Sequence, residues 1–219
     1  MNSSAVPKQF IEVNGKSIII HTLELFDGMD EIDGIQVVCL ADWIDELRRQ
    51  IAEHNIRKVM NIVPGGETGQ MSIYNGLVSM RDAGLDPASL VMIHDGVRPL
   101  VSRETIRRNL EVASEFGNAI TVSPCTETVI LASGNGTQVL DRNICQMARA
   151  PQTFRLGDIL SHYELCVSNG QTSCIDSATI VTSHGCALHT VEGNPENIKI
   201  TTPMDVCLFR GLLNNTADE

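Results

Sequence analysis

Short apolar runs alternate with amphipathic segments along most of the chain. Ile35–Leu40 (IQVVCL) is a β-branched run of the kind that fills a strand buried on both faces. Asp42–His54 places Trp43, Ile44, Leu47 and Ile51 at helical spacing. Lys16–Ile20 reads as a short strand, and His21–Asp27 as a helix with Leu23 and Phe26 on one face. Lys58–Val63 reads as a strand that runs into a loop opened by Gly65-Gly66. Ser72–Asp82 reads as a helix, Ser89–His94 as a strand ending in HDGVRP, and Arg103–Phe116 as a helix. Strands and helices of these lengths in alternation predict βαβ units, a mostly parallel sheet and helices on both of its faces.

The pattern changes near Asn118. AITVSP, ETVILAS and TQVLDRN read as extended segments, the last two joined by a turn at Gly134-Asn135-Gly136, since Asn-Gly favours tight hairpins. A polar hairpin between two α/β portions predicts an arm projecting over about residues 123–150. Beyond it, Gly157–Ser168 and Asp176–Ser183 read as helices and Ala187–Val191 and Ile198–Ile200 as strands. Pro203–Leu213 reads as a closing helix with proline in its first turn. The fold class expected is α/β, a mostly parallel sheet with helices on both faces and a projecting β-hairpin arm.

Composition narrows the function. The chain has 219 residues, 42% of them hydrophobic, enough for one sizeable core, so a single domain over 1–219 is expected. No run approaches the roughly 20 apolar residues of a membrane helix, and no basic segment followed by an apolar one marks a signal peptide. No membrane association is therefore expected. Seven cysteines, an odd number with no C-x-x-C pair, argue against a zinc cluster or a disulfide framework and for a reducing compartment, the cytoplasm. A net charge of −11 argues against nonspecific nucleic-acid binding. Any phosphate site must then use a few focused basic residues, backbone N–H groups or a metal ion.

Several residues have the chemistry for such a site, and each has a plain structural explanation beside it. Lys8, in a polar loop, is a flexible ammonium able to reach phosphates, though most such lysines are solvated. The loop from Pro64 to Ser72 follows a strand and opens a helix, which offers free N–H groups to an anion or a base edge; it is also an ordinary glycine-rich βα turn. Asp95 follows a strand at the edge where α/β sheets bind ligands, and a lone carboxylate there suits Mg²⁺ or a turn cap. His94 reads as a packed residue. Arg142, beside Asp141, fits a surface ion pair, and Asp176 fits a helix N-cap.

Taken in order and spacing, PKQF, GGE-x-G-x-x-S, HDGVRP, a Thr and an Arg on a hairpin, ID-x-A and VEG-x-x-x-NIKIT-x-P-x-D resemble the polyol-phosphate cytidylyltransferase family, from Met1 to about Leu213. Its members make CDP-methylerythritol or CDP-ribitol. The resemblance implies a Rossmann-like α/β sheet with a protruding β-arm that interlocks a homodimer, and it implies CTP and Mg²⁺. It implies that Lys8 contacts phosphates and that Gly65, Gly66, Glu67 and Ser72 bind cytosine and ribose. Asp95 and Gly96 would lie at the nucleotide, with Asp95 linked to the metal and Arg98 in the same motif. Thr128 and Arg142 would reach the neighbouring subunit's substrate, Asp176 would face the polyol, and Lys199 would position the acceptor.

Three departures stand out. Members of that family open with a strand and an AAG-x-G-x-R-M loop around the triphosphate, and MNSSAVPKQF resembles only the end of that loop. A misplaced start codon or a truncation is the expectation. Gly69 and Ile175 stand where the family often has Arg and Thr. HDGVRP and the five-residue spacer before Pro7 resemble the ribitol branch more than the methylerythritol branch. The expected reaction is in-line attack of the acceptor's phosphate on the α-phosphorus of CTP, with Lys8, Arg142 and Lys199 as its cations. The rival readings are a noncatalytic homologue that dimerises but binds CTP poorly, and a nucleotide-sugar enzyme of related fold. The latter commonly carries a D-x-D motif at a strand end, which is absent here.

Overall fold

A computed structural model describes residues 6–134 and 136–215. Met1, on which the expectation of an earlier start rests, and Asn135, at the centre of the expected arm turn, lie outside them. The chain opens with a 3-10 turn, Lys8–Phe10, and a small antiparallel ladder of β1 (Glu12–Val13) and β2 (Lys16–Ser17). Asn14 and Gly15, at φ 51° and 80°, form the tight turn between them, the left-handed pair that Asn-Gly favours. Helix α1 (Ile18–Asp27) follows at once. Ile18–Ile20, expected as strand, are therefore its first turn. Their β-branching costs a helix little, and all three side chains are buried there, which outweighs local preference.

Next come β3 (Ile35–Cys39), α2 (Ile44–Glu53) and β4 (Val59–Pro64), with β3 and β4 parallel. Helix α3 (Gly69–Asp82) begins three residues before the expected Ser72, because the Thr68 hydroxyl accepts the Met71 N–H and caps it. Strand β5 (Leu90–Ile93) and helix α4 (Arg103–Phe116) match the pattern; Ser102 caps α4 at one end and Gly117, at φ 87°, ends it at the other. Strand β6 (Asn118–Pro124) leads to the arm, a hairpin of β7 (Val129–Ser133) and β8 (Gly136–Leu140).

The return from the arm is β9 (Gln146–Arg155), a ten-residue strand that the sequence pattern did not reveal. It lies between β5 and β6, antiparallel to both, so the sheet is mixed. Pro151 interrupts the run and masks its strand character. Across from it the ladder slips: Ile120 faces Gln152 and Val122 faces Ala148, so residues 149–151 bulge opposite Thr121. Helices α5 (Leu156–Ser168) and α6 (Ser177–Ser183), strand β10 (Thr190–Glu192) parallel to β6, and α7 (Pro203–Asn215) complete the fold. Ile198–Ile200, expected as a strand, pairs with none; Ile200 N–H alone donates to Val97 O at 2.9 Å. Among the described residues no helix is long and apolar enough to cross a membrane.

Two apolar layers hold the α/β arrangement. Leu156, Ile159 and Tyr163 of α5 and Ile180 of α6 pack with Leu77 of α3 against Val91, Ile120, Val122 and Phe154. On the other part, Ile19, Ile20 and Leu23 of α1 and Leu47 of α2 pack against Val37 and Cys39. A buried polar relay fixes the bulge. Asn109 Nδ2 donates to Thr105 O and Thr121 Oγ1 at 2.9 Å each, and Thr121 Oγ1 donates to Pro151 O at 2.7 Å. Thr121→Val keeps the shape and strands two buried polar groups, so urea unfolding should show a loss of about 1–3 kcal/mol at unchanged m value. A loss below about 0.5 kcal/mol, the scatter of surface substitutions, would mean the relay does not hold β9.

Candidate active site

The loop after β5 is built inward. His94 packs edge-on to Phe26 at 5.0 Å between ring centroids, its Nδ1 is buried, and its Nε2 donates to Arg98 O at 3.0 Å. A carbonyl can only accept, which assigns that tautomer. Burial pushes the imidazole down to about 4, so it is neutral at physiological pH and packs as expected. Asp95 then turns outward, with Arg98 N–H donating to Asp95 O at 3.1 Å. Gly96 O accepts the Thr22 hydroxyl of α1 at 3.1 Å, which ties the loop to the helix beneath it.

Asp95 meets two cations. Lys199 Nζ lies 2.8 Å from Oδ1, and Arg98 Nε lies 2.8 Å from Oδ2. Burial alone would raise the carboxyl, but the hydrogen bonds from Lys199 and Arg98 outweigh it and hold it below the usual range. With its folded value depressed, the stability Asp95 contributes is present above the unfolded value of about 3.9 and is lost as pH falls through the folded one.

Lys199 is brought 104 residues along the chain by a series of anchors. Gly193 ends β10 where a Cβ would come within 2.5 Å of Thr121 Cγ2, so only glycine fits. Asn194 accepts from Ser102 N–H and donates to Leu100 O, both at 2.9 Å. Asn197 is buried and donates to Ala150 O at 2.7 Å. Ile200 is buried against Val97. Lys199, between these two anchors, is left to face Asp95.

The same segment reveals a residue that the sequence reading missed. Arg149, in the β9 bulge, donates from Nε to Ser123 Oγ at 2.8 Å and from Nη1 to Asn197 O at 2.7 Å; Arg98 Nη1 donates to that same oxygen at 2.9 Å. Nothing in MARAP marks this arginine, because its position depends on a register slip.

The glycine loop is a separate group at the end of β4. Gly65 N–H donates to Cys39 O at 2.8 Å. Gly66 lies so close to Met71 that a Cβ would be 2.5 Å away, and its N–H donates to Ser72 Oγ at 3.1 Å. Glu67 is exposed. The start of α3 is tied to the stretch before Asp176: Thr68 Oγ1 donates to Thr172 O at 2.5 Å, and Gln70 bonds Gln171 O and Cys174 N–H at 2.7 Å each. Asp176 caps α6 through the Thr179 N–H at 2.8 Å and accepts from Gln152 at 3.1 Å.

The structure thus joins Asp95, Arg98 and Lys199 directly. Lys8 is exposed in the turn whose Phe10 stacks on Trp43 at 4.5 Å. Thr128 is exposed, and Arg142 donates to Thr126 O at 2.9 Å instead of pairing with Asp141, whose carboxylate caps Asn143 N–H. Among the described residues no hydrogen bond or ion pair joins Lys8, Thr128 or Arg142 to Asp95. As for Mg²⁺, Asp95 retains a lone pair on each oxygen, enough for an ion that takes one or two carboxylates and completes its shell with phosphates and water. No group of three or more His, Cys, Asp or Glu converges among the described residues, so any such ion would depend on phosphate ligands.

Comparisons with known proteins place the chain in a family. The model of the IspD family, 2-C-methyl-D-erythritol 4-phosphate cytidylyltransferase, matches residues 1–215. A ribitol-5-phosphate cytidylyltransferase of Streptococcus agalactiae serotype Ia is 43% identical, with 100% of this chain and 92% of that protein covered. One from Vibrio parahaemolyticus serotype O3:K6 is also 43% identical, covering 98% and 90%. A 2-C-methyl-D-erythritol 4-phosphate cytidylyltransferase of Geotalea uraniireducens is 35% identical, covering 98% and 91%. Among solved structures, the 4-diphosphocytidyl-2C-methyl-D-erythritol synthase of Anaerococcus prevotii superposes with a TM-score of 0.84 at 26% identity, covering 97% of this chain and 92% of that one. The Francisella tularensis 2-C-methyl-D-erythritol 4-phosphate cytidylyltransferase gives 0.80 at 30%, covering 94% and 93%. With a full-length family match, two sets of named relatives and a shared fold, the chain belongs to the IspD family of cytidylyltransferases.

Proposed function

We propose that this protein transfers CMP from CTP to ribitol 5-phosphate and releases pyrophosphate, with 2-C-methyl-D-erythritol 4-phosphate as the second-ranked acceptor. The observation that carries the reading is the cluster of Arg98 and Lys199 on Asp95 beyond the end of β5, an anion-binding arrangement on a chain of net charge −11. The 43% identity to ribitol-5-phosphate cytidylyltransferases supports the choice of acceptor.

The reaction balances without a covalent enzyme intermediate. A phosphate oxygen of the acceptor bonds to the α-phosphorus of CTP, and the bond from that phosphorus to the bridging oxygen breaks, with its electron pair leaving on pyrophosphate. The enzyme's part is positioning and charge neutralisation. Lys199, held by Asp95, draws the acceptor's phosphate in line. Lys8 neutralises charge on the α-phosphate and the departing pyrophosphate. Gly65, Gly66, Glu67 and Ser72 seat the cytidine, with Gly96 beside it, and Arg98 and Asp176 line the acceptor side. Asp95 is the carboxylate that would hold a Mg²⁺, which would supply further charge neutralisation when bound. The absence of paired cysteine motifs fits a cytoplasmic enzyme.

The arm completes the proposal. Ile130 and Val139 face each other across β7 and β8 at 58% and 66% exposure, and Ile144 is 82% exposed. Apolar side chains this open on a projecting hairpin suit burial against a second copy, which would deliver Thr128 and Arg142 to its neighbour's acceptor site. Light scattering of Ile144→Asp combined with Ile130→Asp should then give a monomer where the parent protein is a dimer, and a monomeric parent protein would refute the pairing.

Purified protein should release pyrophosphate from CTP faster with ribitol 5-phosphate than with 2-C-methyl-D-erythritol 4-phosphate. Lys199→Ala should cut that rate by about 10²–10³. Release with neither acceptor would sink the transferase reading.

A further inference from the structure

We propose that Arg149 is a third ligand for the acceptor's phosphate, so that Arg98, Arg149 and Lys199 form one site matched to a phosphate dianion. The inference rests on the transferase reading above and assigns a residue that neither the sequence motifs nor that reading used.

Charge is the first argument. Arg98, Arg149 and Lys199 bring three positive charges, and Asp95 returns one negative charge. Arg149 has no carboxylate within 4.0 Å among the described residues; both of its hydrogen bonds go to neutral oxygens. Two guanidinium groups therefore share the single carbonyl of Asn197 at 2.7 and 2.9 Å, with a surplus of about two charges around them. A phosphate monoester carries about −1.5 to −2 at neutral pH. Cations held half-buried without a counter-charge are costly, and an anion relieves that cost. Burial first, then the Arg98 charge, pull the Arg149 guanidinium below its ordinary value.

Geometry is the second argument. Ser123 and Asn197 occupy Nε and Nη1 of Arg149, while Asp95 and Asn197 occupy Nε and Nη1 of Arg98. Among the described residues no acceptor takes the Nη2 of either. Each fork is thus fixed by two bonds and keeps N–H donors for an incoming oxygen, a preorganised arrangement. The bulge at 149–151 directs the strand locally, as bulges beside active sites do.

Arg149→Gln and Arg149→Lys in the full chain test the idea by two routes. In titration calorimetry with inorganic phosphate alone, Gln should weaken binding by about 10- to 100-fold, as expected for loss of a charged hydrogen bond, and Lys by less. In steady-state kinetics Gln should raise KM for ribitol 5-phosphate by a similar factor and leave KM for CTP within about twofold. Phosphate binding by Arg149→Gln equal to that of the parent would overturn the proposal. So would a parallel rise in both KM values with a lowered Tm that Lys fails to restore, because that marks a brace for the Asn197 segment. If the parent protein transfers CMP to no acceptor, the transferase reading falls, yet the phosphate titration still decides the role of Arg149.

Discussion

The contact on which the site depends is the one between Asp95 and Lys199, at 2.8 Å across 104 residues of chain. It brings the loop after β5 to the segment after β10, and with Arg98 it makes a cationic group around one carboxylate. Its own energy is modest, since both partners are partly solvated and pairs of that kind contribute little net stability. The segments are held in place by what lies on either side: Asn194 clamped to Leu100 and Ser102, Asn197 to Ala150, and Ile200 buried on Val97. The ion pair is therefore an outcome of packing, and its value lies in the field that it leaves exposed.

That field resolves a conflict set by composition. A chain of net charge −11 repels anions at long range, yet its proposed substrates are a nucleoside triphosphate and a phosphate ester. Screening limits the repulsion to about 8–10 Å at physiological ionic strength, so the neighbourhood of the site counts most. There the local balance is reversed, with Arg98, Arg149 and Lys199 against Asp95 alone.

Much of the scaffold was legible because periodicity and burial agreed. β3, α4 and α5 are strongly patterned and lie within a residue of expectation. Asp95, Arg98 and Lys199 stood out through ordered motifs, and the structure brings them together. The failures have physical causes. Ile18–Ile20 carry strand-like residues but are buried all round at the start of α1, and the Asn14-Gly15 turn just before them was the overlooked signal. β9 was hidden by Pro151 and its bulge, and Arg149 with it, since no local pattern reports a register slip between distant strands.

The neighbouring histidine clarifies the kind of catalysis this architecture can support. His94 sits beside Asp95, where a general base would be looked for. Its Nε2–H is committed to Arg98 O, burial holds it neutral with a value of about 4, and Nδ1 is buried without a partner. It is walled off from any reacting proton. The proposed reaction needs none: the attacking phosphate oxygen is already anionic at neutral pH, and pyrophosphate leaves without protonation by a side chain. A site for such a step has to concentrate charge and fix direction. Rigid, hydrogen-bonded cations mounted on loops at the ends of strands meet both demands, and here the packed histidine keeps the loop that carries Asp95 and Arg98 in shape beneath them.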